Sequence, residues 1–263
     1  MVSALRTLAL LLAVLTAGPA AADEAGCRLS LVLALDVSSS VDDGEYRLQK
    51  EGLVGALGDP DVRRALLDGG PVALAVYEWS GRNQSTVILG WSLIDGPDAI
   101  DRAAGIILGT PRSFNRYPTA MGYALGFGAT LMTRAPACDR RVIDVSGDGI
   151  TNDGFRPQQA YDHYPFDGVV VNGLAVLGSD PRVVDYYRGE VAHGPGAFVE
   201  IAEGYSDFRR AMTRKLFREL NDMIIGNLAP PGAGLRRWRS EGTISRCSGS
   251  DRSSSVRAVS AHC

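Results

Sequence analysis

The chain predicts an α/β fold in which strands alternate with helices around one sheet. Three observations carry this. An apolar run at residues 29–35 (LSLVLAL) has the length and composition of a buried strand. Further such runs recur between stretches with helical spacing, the alternation that builds α/β sheets. About 200 residues share this pattern, enough to bury a core as one domain.

In chain order, the strand at 29–35 is followed by a helix at about 44–57 and a strand at Val72–Trp79. The link Gly81-Arg82-Asn83-Gln84 is too short for a parallel crossover, so residues 86–92 must return antiparallel as an edge strand. Helices follow at about 97–108 and 119–133, then a strand at 142–145, a weak helix at 157–164 and a strand at Val169–Val176. A helix near 182–191 and a short strand at 197–201 lead to the last helix, where Phe208, Met212, Leu216, Leu220 and Ile224 recur every four residues as a core stripe.

Both ends differ from this body. Arg6, the apolar residues 8–15 and Ala20-Ala21-Ala22 read as a signal peptide over residues 1–22. No later stretch is long and apolar enough to span a membrane, so the expected location is exported, periplasmic or secreted. Ala25-Gly26-Cys27 resembles the end of a lipidation box, with Glu24 out of place, which makes a lipoprotein anchored at Cys27 the lesser alternative. Pro230-Pro231-Gly232 ends the last helix, and residues 230–263 read as a disordered tail rich in serine and arginine. The domain is expected at 27–227.

The formal charge is −3, and the tail holds six arginines against Glu241 and Asp251, so the body is distinctly acidic. An acidic body repels phosphate backbones, which argues against nucleic acid as partner.

Asp36-Val37-Ser38-Ser39-Ser40 delivers one carboxylate and two aligned hydroxyls to the carboxyl end of the first strand, where open α/β sheets bind ligands. Alternate residues of a tight loop can aim side-chain oxygens at one point, as an octahedral Mg²⁺ requires. The same residues also read as a helix cap, with Asp42 or Asp43 three positions on. Thr119 at the mouth of a helix could be only an N-cap, and Asp148-Gly149 after residues 141–145 only a turn.

Taken together, in this order and spacing, the three segments resemble the metal-ion-dependent adhesion site of von Willebrand factor type A domains, over about residues 28–226. The sequences at 142–149, 171–175 and 194–198 are similar to a group of exported bacterial A-domain proteins of unknown function. The resemblance implies a doubly wound, six-stranded sheet of order 3-2-1-4-5-6, with strand 3 antiparallel at the edge. It implies a site of Asp36, Ser38, Ser40, Thr119 and Asp148 for Mg²⁺, or Mn²⁺ or Ca²⁺. Ser38 and Ser40 would bind the ion directly, Asp36 and Asp148 directly or through water, and Thr119 according to conformation. Many A domains carry glycine before this threonine, whereas Pro118 stands here. With the A-domain strand order, Cys27 and Cys138 fall at the same end of neighbouring strands and are expected to pair; nothing in the sequence forces Cys247 and Cys263 to pair with each other, and that pairing stays open.

Enzyme motifs are sparse. The histidines are His163, His193 and His262, without zinc-site spacing, and Ser146 lacks a nucleophile elbow. The catalytic alternative is a magnesium phosphohydrolase with Asp36 as nucleophile, although Ser38 stands where a second carboxylate is usual and the lysines, Lys50 and Lys215, fall in predicted helices. Asp144 interrupts an apolar strand and needs a partner, for which Glu78 is the candidate. Asn152 and Asp153 could line the rim of the site. The expected function is an exported, metal-dependent module that recruits a Glu or Asp side chain of a partner protein.

Overall fold

The computed structural model describes residues 26–227, with side chains through residue 221. The leader at 1–22, the tail at 230–263 with Cys247, Cys263 and His262, and the Ile224 side chain lie outside the described residues.

The elements run β1 (Cys27–Asp36), α1 (Asp43–Leu57), α2 (Pro60–Leu67), β2 (Val72–Trp79), β3 (Ser85–Ile94), α3 (Pro97–Gly109), α4 (Met121–Met132), β4 (Cys138–Gly147), α5 (Pro157–His163), β5 (Val169–Val176), α6 (Val183–Tyr186), β6 (Val199–Ala202) and α7 (Phe208–Asn227). One sheet of order β3-β2-β1-β4-β5-β6 collects the strands. Its neighbours are parallel except β2 and β3, which the short link at 80–84 forces antiparallel.

Helices cover both faces, and β1 feeds both cores by simple alternation. Leu29, Leu31, Leu33 and Leu35 pack in the core that also holds Leu53 of α1, Val62 of α2, Ile100 of α3 and Phe208, Met212, Leu216 and Leu220 of α7. Val32 and Ala34 enter the opposite core with Leu125 of α4, Ala160 of α5 and Val183 of α6. Strand order reverses between β1 and β4, which is where open sheets of this kind leave a crevice at the carboxyl ends of their strands.

Three details depart from the sequence reading. The helix α2 was not expected, although Asp59 and Pro60 are a sound start: Asp59 accepts from Asp61 N–H at 3.0 Å and proline takes the first helical position. The helix expected at 182–191 is only four residues of α-helix running into a π-helical turn, Tyr187–Val191. Glu78 is not the partner of Asp144, because β1 lies between their strands. Glu78 instead accepts from Tyr46 Oη and Ser113 N–H, each at 2.7 Å, while Asp144 meets Lys215 Nζ of α7 at 2.5 Å.

At the amino end of the sheet, Cys27 pairs with Cys138 in register and the two form a disulfide with Cα atoms 4.5 Å apart. That bond leaves no thiol at Cys27 for lipidation.

Candidate functional site

The site forms where β1 and β4 end. Asp36 is the last residue of β1, Asp148 follows β4 directly, and Thr119 lies two residues before α4. Backbone bonds bring the three loops together: Ser39 N–H donates to Tyr117 O at 2.8 Å and Asn152 N–H to Thr119 O at 3.0 Å, while Val37 N–H to Trp79 O and Ala120 N–H to Ser80 O, each at 2.8 Å, tie the first two to the end of β2.

The capping readings do not hold for these hydroxyls. Helix α1 is capped by Asp42, which accepts from Glu45 N–H while Glu45 accepts from Asp42 N–H. At α4 the Thr119 side chain makes no cap; Thr151 Oγ1 accepts from Met121 N–H at 3.1 Å in its place. Ser38, Ser40 and Thr119 thereby keep their hydroxyls for one another.

Those oxygens form a connected path. Thr119 Oγ1 lies 3.3 Å from Ser38 Oγ, Ser38 Oγ lies 3.0 Å from Ser40 Oγ, and Ser40 Oγ donates to Asp148 Oδ1 at 2.8 Å. Ligands held cis on a magnesium octahedron with bonds of 2.0–2.1 Å stand about 2.9 Å apart, so these spacings suit adjacent corners of one. Asp36 keeps to the inner side: its Oδ1 accepts from Ser38 N–H at 2.7 Å, and its buried Oδ2 has no protein partner. Burial, then the charge of Asp148, pushes the Asp36 carboxyl up to about 7. Asp36, Ser38, Thr119 and Asp148 are buried while Ser39 and Ser40 are exposed, which leaves the cluster open to solvent on one side. With two carboxylates and three hydroxyls it is a hard-oxygen donor set; among the described residues no three His, Cys, Asp or Glu side chains cluster as a metal site.

Further residues build the site. Arg112 donates to the carbonyls of Val37 (3.2 Å), Ser38 (3.3 Å) and Val41 (2.7 Å), clamping the serine loop, and its guanidinium lies 5.1 Å from the Tyr46 ring. Gln49 donates to Asp36 O at 2.9 Å. Ser179, in the loop after β5, donates to Asp148 Oδ2. Asn152 is an anchor as well as a rim residue, since its Oδ1 accepts from Thr119 N–H at 2.9 Å. Asp153 pairs with Arg82 at 2.7 Å. None of Arg112, Gln49 and Ser179 stands in a recognisable motif. Ser179 alone had a usable signal, its place just past the carboxyl end of a central strand.

Both lysines are committed elsewhere: Lys50 donates to Thr110 O, and Lys215 is buried against Asp144 and Glu219. Neither lysine therefore stands beside Asp36; the cationic side chain near the serine loop is Arg112.

A family model described as "Protein of unknown function (DUF1194)" matches residues 26–224. Among curated proteins none matches the sequence. Solved structures with this fold include proximal thread matrix protein 1 from the mussel byssus with a zinc-occupied MIDAS motif, at 17% identity and TM-score 0.51 over 75% of this chain and 47% of that one. The pilus adhesin SpaC from Lactobacillus rhamnosus GG, in its open conformation, aligns at 13% identity and TM-score 0.53 over 76% of this chain and 30% of SpaC. A von Willebrand factor type A protein from Catenulispora acidiphila aligns at 12% identity and TM-score 0.54 over 74% and 43%. The alignments therefore span less than half the length of each of these proteins.

Proposed function

Because this chain belongs to the DUF1194 family of proteins of unknown function and has the von Willebrand factor type A fold, we propose that it is an exported, metal-dependent binding module. Ser38, Ser40, Thr119, Asp36 and Asp148 would hold a divalent cation, Mg²⁺ or else Mn²⁺ or Ca²⁺. The observation that carries this reading is the path of oxygens Thr119–Ser38–Ser40–Asp148 at 2.8–3.3 Å, open to solvent at Ser40.

When bound, the cation supplies a Lewis-acidic position that accepts an anionic oxygen from outside. The chain's own residues do the rest. Arg112 fixes the serine loop, Asn152 fixes the threonine loop, and with neutral hydroxyls touching the ion and the carboxylates acting through water the ion's charge would be under-compensated at contact. A Glu or Asp side chain of a partner protein is the ligand that such a charge favours. A zinc-occupied MIDAS motif in the mussel protein and the adhesin role of SpaC support the reading. A disulfide fits an exported chain, as does the lack, among the described residues, of any helix long and apolar enough to cross a membrane.

Calorimetric titration of metal-stripped protein with Mg²⁺ tests it. Saturable one-site binding is expected, and Ser38→Ala with Ser40→Ala should weaken it at least 100-fold. A wild-type protein that takes up no Mg²⁺, Mn²⁺ or Ca²⁺ would overturn the proposal. Capture of a partner with Mg²⁺ and its release by chelator tests the binding role.

A further inference from the structure

Asp36 Oδ2 and the hydroxyl of Tyr187 are both buried, and neither has a protein hydrogen-bond partner. They meet at one place. A Cβ added to Gly147 would stand 2.7 Å from Asp36 Oδ2 and 2.8 Å from the Tyr187 hydroxyl, so the carboxylate and the phenol share the space this glycine leaves. The Tyr187 ring arrives there across Gly173, where a Cβ would meet its Cδ1 at 2.5 Å. Gly147 and Gly173 lie on the paired strands β4 and β5, and together they open a slot for one aromatic ring.

The backbone that delivers this ring is unusual too. Tyr187 is fully buried and begins the π-helical turn Tyr187–Val191, a geometry that is uncommon in proteins and recurs at functional sites. Burial, then the charge of Asp36, holds the phenol well above its ordinary pKa, so it is a neutral donor facing an acceptor that lacks one.

We propose that Tyr187 is a positioning residue of the cation site: its hydroxyl donates to Asp36 Oδ2 through one water, and so restricts how the carboxylate can turn toward the ion. The inference rests on the cation reading above and goes beyond it by adding a residue from the turn after α6, which packs in the same core as α4. A carboxylate held at one oxygen by Ser38 N–H and at the other by a phenol is kept from swinging into two-oxygen coordination. Magnesium, with its strict octahedron, should gain from that restraint more than calcium, which accepts bidentate carboxylates.

Tyr187→Phe removes one oxygen and leaves the ring packing intact. Calorimetry on the metal-stripped full chain should show Mg²⁺ affinity falling about tenfold, Ca²⁺ affinity falling less, and no loss of metal-free melting temperature. Tyr161→Phe is the control, since that hydroxyl donates to Val191 O on the same turn and touches no carboxylate; it should leave Mg²⁺ affinity unchanged. Wild-type Mg²⁺ affinity in Tyr187→Phe overturns the inference while the cation site stands. An equal loss for both ions together with a lowered melting temperature overturns it as well, since that is the signature of packing. Absence of any divalent response in the wild type is distinguishable from both, and removes the site and the inference together.

Discussion

Asp36 sits where the metal-free protein gains nothing from its charge. The side chain is fully buried, one oxygen has no protein partner, and its carboxyl is pushed up to about 7 by burial and by Asp148. Burying a carboxylate costs free energy unless it is paired, and the protein donor to this one is a single backbone N–H. Asp36→Asn keeps the shape and the bond from Ser38 N–H, removes the charge, and offers a donor to the Tyr187 hydroxyl. It should raise the metal-free melting temperature by a few degrees, on the order of 2–4 °C per kcal/mol for a domain of this size, and abolish stabilisation by Mg²⁺. Differential scanning calorimetry with and without Mg²⁺ reads both; a variant that melts lower than the metal-free wild type would contradict the account. The residue identities at 36, 38, 40, 119 and 148 were legible because they stand in a spaced motif at strand and helix ends. Arg112 and Gln49 were not, because an arginine that clamps three carbonyls carries no local pattern to mark it.

The last helix is held by a buried ionic group as well as by its apolar stripe. Lys215 Nζ lies 2.5 Å from Asp144 Oδ1 and 2.8 Å from Glu219 Oε1, and Asn172 of β5 donates to Glu219. Burial, then the charge of Glu219, holds the Asp144 carboxyl well above the usual range; Lys215, which burial alone would pull down, is kept above its ordinary value by Asp144 and Glu219. Removing one partner of such a group leaves uncompensated buried charge, so Lys215→Ala should cost about 3–5 kcal/mol in urea unfolding. The sign with pH follows. A carboxyl whose folded pKa is raised binds a proton on folding, so its contribution is present at low pH and lost as pH climbs above the ordinary carboxylate value. Without the lysine the Asp144 carboxyl leans further that way, and the variant should be relatively more stable at pH 5 than at pH 8. A cost that does not change with pH would rule this out. The sequence marked Asp144 as needing a partner, but the choice between Glu78 and Lys215 is decided by strand order, which puts β1 between β2 and β4.

Across the whole molecule, the disulfide and the candidate cation site occupy opposite ends of β1 and β4. Cys27 and Cys138 are 111 residues apart, and closing a loop of that length restricts the unfolded chain by about 4–5 kcal/mol in the entropic model. Replacing both by alanine should lower stability by roughly that amount and leave Mg²⁺ affinity unchanged, as chemical denaturation and calorimetry on the same sample would show. Weakened Mg²⁺ binding in the folded variant would mean that the two ends of the sheet are coupled. The strands, the antiparallel return of β3 and the stripe of α7 follow from the sequence alone, because apolar periodicity and loop length are local properties that the chain carries wherever it folds. Which hydroxyl caps a helix and which turns to the site, the π-helical turn and the slot that admits Tyr187 beside Asp36 were decided only by tertiary structure. Each depends on which groups from distant parts of the chain compete for the same buried space.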